Sequence, residues 1–258
     1  MKSRPVVVTR PGEPGARLAR DLVAAGMEAL WLPAFILGPP PDEARVAAVL
    51  AHLPTYQLAI FVSATAVEAT AQRLTAPWPA GTAIGVVGGG TRRAVVEHIP
   101  SAAGVTWFAP DAATEGEGGS EALWHVLSGA LSQIRRVLIL RAQHGREWLG
   151  EQLEQAGVLV DTLAVYARLP AEVGAPEAAQ VQRWLADNRT AVLIVTSSEA
   201  VDAFAAQVEP VTGRAWLLRS RVLASHERIV TRLRAAGFAD VRFTSLDVDS
   251  IRKAAFAQ

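Results

Sequence analysis

Chemistry in this chain would fall to hydroxyls, guanidiniums and one phenol that stand where apolar runs end. Ser63 and Thr65 follow Phe61-Val62, Ser197 and Ser198 follow Val195-Thr196, Thr91 closes the run Gly88 to Gly90 after Val87, and Ser225 follows Ala224. At the carboxyl end of a parallel strand, such a residue sits beside the unpaired N–H groups of the next helix, where carboxylates and phosphates are held. The same hydroxyls also serve as helix N-caps, so either role satisfies the pattern at any one junction. Arg10, Arg141 and Arg146 lie at strand ends or in loops and suit bidentate carboxylate contacts or local ion pairs. Tyr166, one of two tyrosines, sits where a strand ending at 165 gives way to a proline-containing connector. A phenol there can donate a proton or simply pack. His144 and His226 are loop or helix-start imidazoles with no partner at metal-ligand spacing.

The elements that must position these groups alternate regularly. Val6 to Thr9 and Ala29 to Leu32 read as strands around a helix carrying Leu18 and Leu22 and ending at Gly26, which makes a βαβ unit. Further strands are predicted near 58–62, 83–87, 105–108, 136–140, 159–165, 191–195, 221–224 and 240–244, with helical segments between most of them. The fold class is therefore α/β with parallel sheets.

The pattern repeats. Arg10, Leu18, Leu22 and Gly26 align with Arg141, Leu149, Leu153 and Gly157 at an offset of 131, and Ile60 to Ala69 aligns with Ile194 to Ala203 at an offset of 134. Proline-rich stretches at Pro33 to Asp42 and Tyr166 to Pro176 follow the first βαβ unit of each copy. Proline fixes φ and removes a donor, so both read as extended crossings between domains. If the chain crosses at both, residues 1–35 and 166–258 form one discontinuous domain around an inserted domain of 36–165; a cut near 134, one copy per domain, is the alternative.

Composition narrows the partners. Of 258 residues, 25 are Lys or Arg and 25 are Asp or Glu, so no global field attracts nucleic acid or an anionic membrane and anions must be caught locally. Cysteine is absent, which removes disulfides, thiolate metal sites and cysteine nucleophiles. No long apolar run marks a leader or a membrane span, and the expectation is a cytoplasmic monomer acting on a small molecule, with no metal, nucleic acid or membrane. The glycines at 85, 88, 89 and 90 miss the dinucleotide fingerprint, and no P-loop lysine follows them.

Several short motifs, in this order and spacing, resemble the uroporphyrinogen-III synthase family. They are Val7 to Pro11, Phe61 to Ala69, Val87 to Thr91, Ser120 to Leu123, Leu138 to Arg141 with Gly145 to Glu147, Val165-Tyr166, Val195 to Ser198, and Ser225 to Ile229 running on to Gly237-Phe238. The resemblance implies two doubly wound α/β domains of similar topology joined by a two-stranded connector, with a cleft between them for a linear tetrapyrrole. It implies no cofactor, Tyr166 as the proton donor, and Ser63, Thr91 and Ser197 as hydrogen-bonding groups; Arg10, Arg146, Ser198 and Ser225 join them as expected substrate contacts from their own positions at strand ends, loops and helix starts. This chain departs from the family where a Gly-Pro-Thr-Thr-like turn is replaced by His226 to Ile229, and where the glycine-rich loop after the Leu-Arg strand is Ala142-Gln143-His144. A two-domain protein that binds an anionic metabolite without turnover, and a nucleotide-dependent sugar or phosphate enzyme, are the other readings of the same pattern.

Overall fold

The computed structural model describes residues 4–110 and 119–256. In chain order the elements are β1 (Val6–Val8), α1 (Gly12–Ala24), β2 (Ala29–Trp31), β3 (Phe35–Gly38), α2 (Glu43–Ala51), β4 (Leu58–Phe61), α3 (Ala64–Ala71), β5 (Ala83–Val86), α4 (Gly89–His98), β6 (Trp107–Phe108) and α5 (Gly119–Ser128). They continue with β7 (Arg136–Ala142), α6 (Trp148–Gln155), β8 (Leu159–Pro170), α7 (Ala175–Ala186), β9 (Val192–Val195), α8 (Ser198–Thr212), α9 (Arg214–Arg219), β10 (Arg221–Ala224), α10 (Glu227–Ala235), β11 (Val241–Phe243) and α11 (Val248–Phe256).

Two compact units result: Met1–Leu37 with Leu169–Gln258, and Gly38–Arg168. The first holds a five-stranded sheet in the order β11-β10-β9-β1-β2, and the second a sheet ordered β3-β8-β7-β4-β5-β6. The fold is thus two parallel-sheet α/β units of like topology, and the chain crosses between them along β3 and the end of β8. A cut near 134 falls inside the second unit.

Burial explains the strand sequences. All three valines of β1 are fully buried, with Val7 packing on one face of its sheet and Val6 and Val8 on the other. A strand covered on both faces needs a continuous apolar run, which is why no polar residue interrupts it. In the second unit Leu58, Ile60, Val137 and Ile139 pack together with Leu149 and Leu153 of α6. The matching α1 residues, Leu18 and Leu22, pack on β1 and β9. Gly26 and Gly157 follow these two helices at φ +79° and +83°, a region that disfavours any residue with a Cβ.

The registers of the two sheets coincide. Val6 pairs with Ala29 and Val192; at the corresponding positions Val137 pairs with Val160 and Leu58. Val192 pairs with Arg221 as Leu58 pairs with Ala83. Both sequence offsets therefore mark structurally equivalent strands, and β9, β10 and β11 of one sheet correspond to β4, β5 and β6 of the other.

Two sequence expectations change here. Tyr166 does not open a connector: β8 runs on through Pro170, and Tyr166 lies inside it, in the Gly38–Arg168 unit. The prolines place the expected strand end at 165, but Pro170 stands at the last strand position, where a missing N–H costs little. Likewise Pro33 to Asp42 contains a strand, β3. At the 131 offset Pro33 corresponds to Ala164, so proline splits β2 from β3 where alanine lets β8 continue unbroken.

Candidate functional site

Parallel strands deliver their carboxyl ends to one edge of each sheet, and the residues singled out by sequence sort into two such edges. In the Gly38–Arg168 unit, Ser63 lies two residues beyond β4 in extended conformation (φ −165°, ψ 157°), and its Oγ accepts the Ala66 N–H at 3.1 Å, capping α3. Two strands away in sheet order, β8 carries Tyr166, 5% exposed. A register shift between Arg141 and Ala142 moves the ladder from Ala164 to Tyr166, with Val165 as the extra residue. Such a bulge re-aims the side chains that follow it. The backbone stays anchored because the Gln143 N–H bonds the Tyr166 carbonyl at 3.1 Å, and the phenol Oη comes within 3.4 Å of Ser63 Oγ. Ser63 and Tyr166 are 103 residues apart in sequence, yet the fold makes them neighbours.

Gly88 is the N-cap of α4 and offers no side-chain cap, so the helix's first turn presents backbone amides alone. Thr91 is the third residue of α4 and is 6% exposed, so it belongs largely to the buried face of that helix. Arg141 is 5% exposed; its Nη1 pairs with Glu147 at 2.8 Å and reaches the Arg146 carbonyl at 3.4 Å. Its Nη2 is buried beside Gly145, where a Cβ would approach it to 3.0 Å. Arg141 thus braces the turn from Gln143 to Glu147 from below. Arg146 is held by Glu121 of α5 and lies 5.7 Å over the Trp148 ring. His144 is exposed in the same turn.

In the other unit Ser197 repeats the geometry of Ser63, with φ −149°, ψ 151° and a bond from Ala200 N–H at 3.2 Å that caps α8. Ser198 is the first residue of α8. Ser225 precedes His226, whose Nδ1 accepts the Arg228 N–H at 3.3 Å and caps α10. Arg10 follows β1; its carbonyl accepts Trp31 Nε1–H at 2.9 Å and lies against Gly15 of α1. The structure therefore groups Ser63, Thr91, Arg146 and Tyr166 in one unit, and Arg10, Ser197, Ser198 and Ser225 in the other. Sequence reasoning missed the partners Trp31, Glu121 and Glu147, whose pairings join separate elements and leave no local signal.

Polar clusters at the opposite, amino edges have another purpose. Arg136 donates to Asp161 Oδ2 from Nε and Nη2 at 2.9 and 2.7 Å, while Tyr56 Oη–H donates to the same oxygen at 2.9 Å. Burial alone would raise the Asp161 pKa, but these bonds overcome it and hold the carboxyl below its ordinary range. Burial and the Asp161 contact push the Tyr56 phenol up. The arrangement ties β7, β8 and the approach to β4 together. Among the described residues no group of three or more His, Asp or Glu is placed to hold a metal, and no helix is long and apolar enough to cross a membrane.

The family model described as uroporphyrinogen-III synthase HemD matches residues 16–245. The chain is 28% identical to uroporphyrinogen-III synthase of Salmonella typhimurium strain LT2 over 261 residues, covering 96% of this chain and 98% of the relative. It is 27% identical to the Escherichia coli K12 protein of the same name over 253 residues, with the same coverage. Among solved structures, a mutant uroporphyrinogen III synthase from the extremely thermophilic bacterium Thermus thermophilus superposes with a TM-score of 0.62 at 17% identity, covering 98% of this chain and 96% of that one. A Helicobacter pylori 26695 uroporphyrinogen-III synthetase gives 0.54 at 14% identity, with 99% of both chains covered. At these identities the solved structures speak for the fold.

Proposed function

Because this chain belongs to the uroporphyrinogen-III synthase family, an enzyme family of tetrapyrrole biosynthesis, we propose that it is the lyase that closes linear hydroxymethylbilane into uroporphyrinogen III. In this reading the terminal hydroxymethyl oxygen leaves as water to give an azafulvene. The substituted carbon of the last pyrrole attacks it to form a spiro intermediate, and fragmentation and reclosure leave that ring inverted. Positioning is the main catalytic contribution, because the bilane must be bent so that this attack outruns spontaneous closure without inversion. Tyr166 supplies the proton for the departing hydroxyl.

The substrate's carboxylates are met by local donors, as a chain with equal numbers of basic and acidic residues requires. These are the first-turn amides of α3, α4, α8 and α10, helped by Ser197, Ser198 and Ser225 and by the guanidiniums of Arg10 and Arg146, while Ser63 stands beside Tyr166 and Thr91 lies on the buried face of α4. No cofactor enters the scheme, and the protein acts as a monomer on this small molecule. The observation that carries the proposal, beside family membership, is the Tyr166 hydroxyl at the carboxyl edge of its sheet, 3.4 Å from the residue that caps α3.

Supplying hydroxymethylbilane and separating the macrocycle isomers tests it. Product enriched in isomer III is expected; an isomer ratio equal to the uncatalysed background overturns the assignment and leaves metabolite binding without turnover. Tyr166→Phe is expected to lower kcat about 10²-fold or more while leaving the melting temperature near wild type, since the ring is kept and only a long hydrogen bond is lost. Wild-type kcat in that variant would make Tyr166 a packing residue.

A further inference from the structure

We infer that Ser63 is a positioning residue for the Tyr166 phenol, holding its oxygen while the phenol proton leaves; this rests on Tyr166 being the proton donor. A serine hydroxyl has one proton and two lone pairs. The cap uses Ser63 Oγ as an acceptor for the Ala66 N–H at 3.1 Å, which fixes the oxygen and leaves its proton uncommitted by that bond. Tyr166 Oη stands 3.4 Å away, longer than the 2.7–2.8 Å usual for O–H···O, so the contact is poised to tighten when substrate binds. With Ser63 donating to Tyr166 Oη, the phenol's own proton is free to point at a ligand.

The chemistry makes this contact stronger as the reaction proceeds. The Tyr166 proton passes to the hydroxymethyl oxygen, the C–O bond breaks with its electron pair going to that oxygen, and water departs. The pyrrole nitrogen lone pair fills the deficit, giving the azafulvene in its N-protonated form beside a phenolate. The phenolate regains a proton when the final ring closure releases one from carbon, and Ser63 keeps its own throughout. A neutral hydrogen bond to the phenol thus becomes a charge-assisted one to the phenolate, about twice as strong, and only such a differential interaction raises kcat. The first turn of α3 places its positive end at the same oxygen pair.

The molecule contains its own comparison. Ser197 makes the same cap in the other unit, from the same backbone conformation and at 3.2 Å. The residue that corresponds to Tyr166 at the 131 offset is Phe35, which has no hydroxyl. Capping accounts for a serine at both places, whereas a phenol stands at only one, so the two roles of Ser63 are separable.

The test combines substitutions at Ser63 with Tyr166→Phe. Ser63→Ala is expected to lower kcat about ten- to a hundredfold with a smaller change in KM, and to have no further effect on kcat in the Tyr166→Phe background. Ser63→Asp caps a helix as well as serine does and preserves the melting temperature, but it lacks the donor, so its kcat falls with that of the alanine variant. Ser63→Thr restores kcat. An effect that adds fully to Tyr166→Phe, or one confined to KM, would overturn the inference while leaving Tyr166 as donor; wild-type kcat in Tyr166→Phe alone would instead remove the parent reading. A readout free of turnover uses Tyr56→Phe, which leaves Tyr166 the sole tyrosine. The tyrosine Fermi doublet in its Raman spectrum reports the phenol's hydrogen bonding and is expected to change on adding Ser63→Ala; an unchanged doublet refutes the contact.

Discussion

Replacing Gly15 with alanine sets two effects against each other, and the structure decides between them. Gly15 stands in the first turn of α1, where alanine is the better helix former by about 1 kcal/mol. Its Cβ, however, would lie 1.9 Å from the Arg10 carbonyl oxygen, 2.7 Å from the carbonyl carbon and 2.9 Å from Trp31 Nε1. Non-bonded heavy atoms settle at roughly 3.5 Å, so the obstacle must retreat by more than an ångström. That obstacle is backbone, tied to β1 and to the Trp31 N–H at 2.9 Å, and no flexible side chain can give way. Overpacking of this kind costs about 1–3 kcal/mol and the displaced hydrogen bond about 1 kcal/mol more, so the net loss is about 2 kcal/mol. At about 2–4 °C per kcal/mol this lowers the melting temperature by about 4–8 °C. Two controls separate crowding from backbone conformation: Gly26, at φ +79° in open space, tests the left-handed conformation alone, whereas Gly81 is open with no such constraint. Thermal melts of the alanine variants should rank Gly15 lowest, then Gly26 at a cost of about 1 kcal/mol, with Gly81 near wild type. Under the proposed role of Arg10 as a substrate contact, the Gly15 variant should also raise KM, because the turn it disturbs carries that residue. Melting of Gly15→Ala at or above Gly81→Ala would refute the argument from close approach.

Other expectations follow from the same geometry. Asp161 has its pKa lowered in the folded state, so its contribution is present above the unfolded value near 3.9 and is lost as pH falls through the folded value. Denaturant titrations of wild type and Asp161→Asn should therefore converge in acid and differ at neutral pH by under about 1 kcal/mol, because the pair is partly exposed; a gap that widens toward acid contradicts the sign. Leu22 and Leu153 are equivalent and fully buried, and alanine at either should cost about 2–5 kcal/mol. Hydrogen exchange should accelerate in β1 and β9 for Leu22→Ala but in β4 and β7 for Leu153→Ala, and identical exchange maps would show that the units do not open separately.

What could be read from sequence was what local physics dictates. Strands buried on both faces require unbroken apolar runs, so Val6 to Val8 and Val192 to Val195 announce themselves. Extending the 131 offset past Gly157 would also have paired Tyr166 with Phe35 and Ala164 with Pro33, revealing why one strand is split. Other features depend on partners distant in sequence. The bulge that aims Tyr166 arises in the ladder with β7, and Arg146 meets Glu121 across a loop. By sequence Thr91 reads as a strand–helix junction hydroxyl like Ser63 and Ser197, whereas α4 already begins at Gly89 and Thr91, its third residue, is buried.

The two offsets, 131 and 134, carry a structural argument of their own. Both preserve register, so the three-residue difference cannot lie within any paired strand, where a slip of even one residue would exchange the side chains packed on its two faces. It falls between β3 and β4 in the first copy and between β8 and β9 in the second, on the segments that follow the crossings. Extra length is inexpensive there, because loop closure grows only slowly with loop size. The same crossings mean that neither copy completes a sheet alone: β1 lies between β2 of its own copy and β9 of the other, and β7 lies between β8 and β4. Each central strand is thus satisfied only by a neighbour from the opposite half of the sequence. The repeat is a unit of pairing geometry, and the compact unit that folds around each core is assembled from both copies.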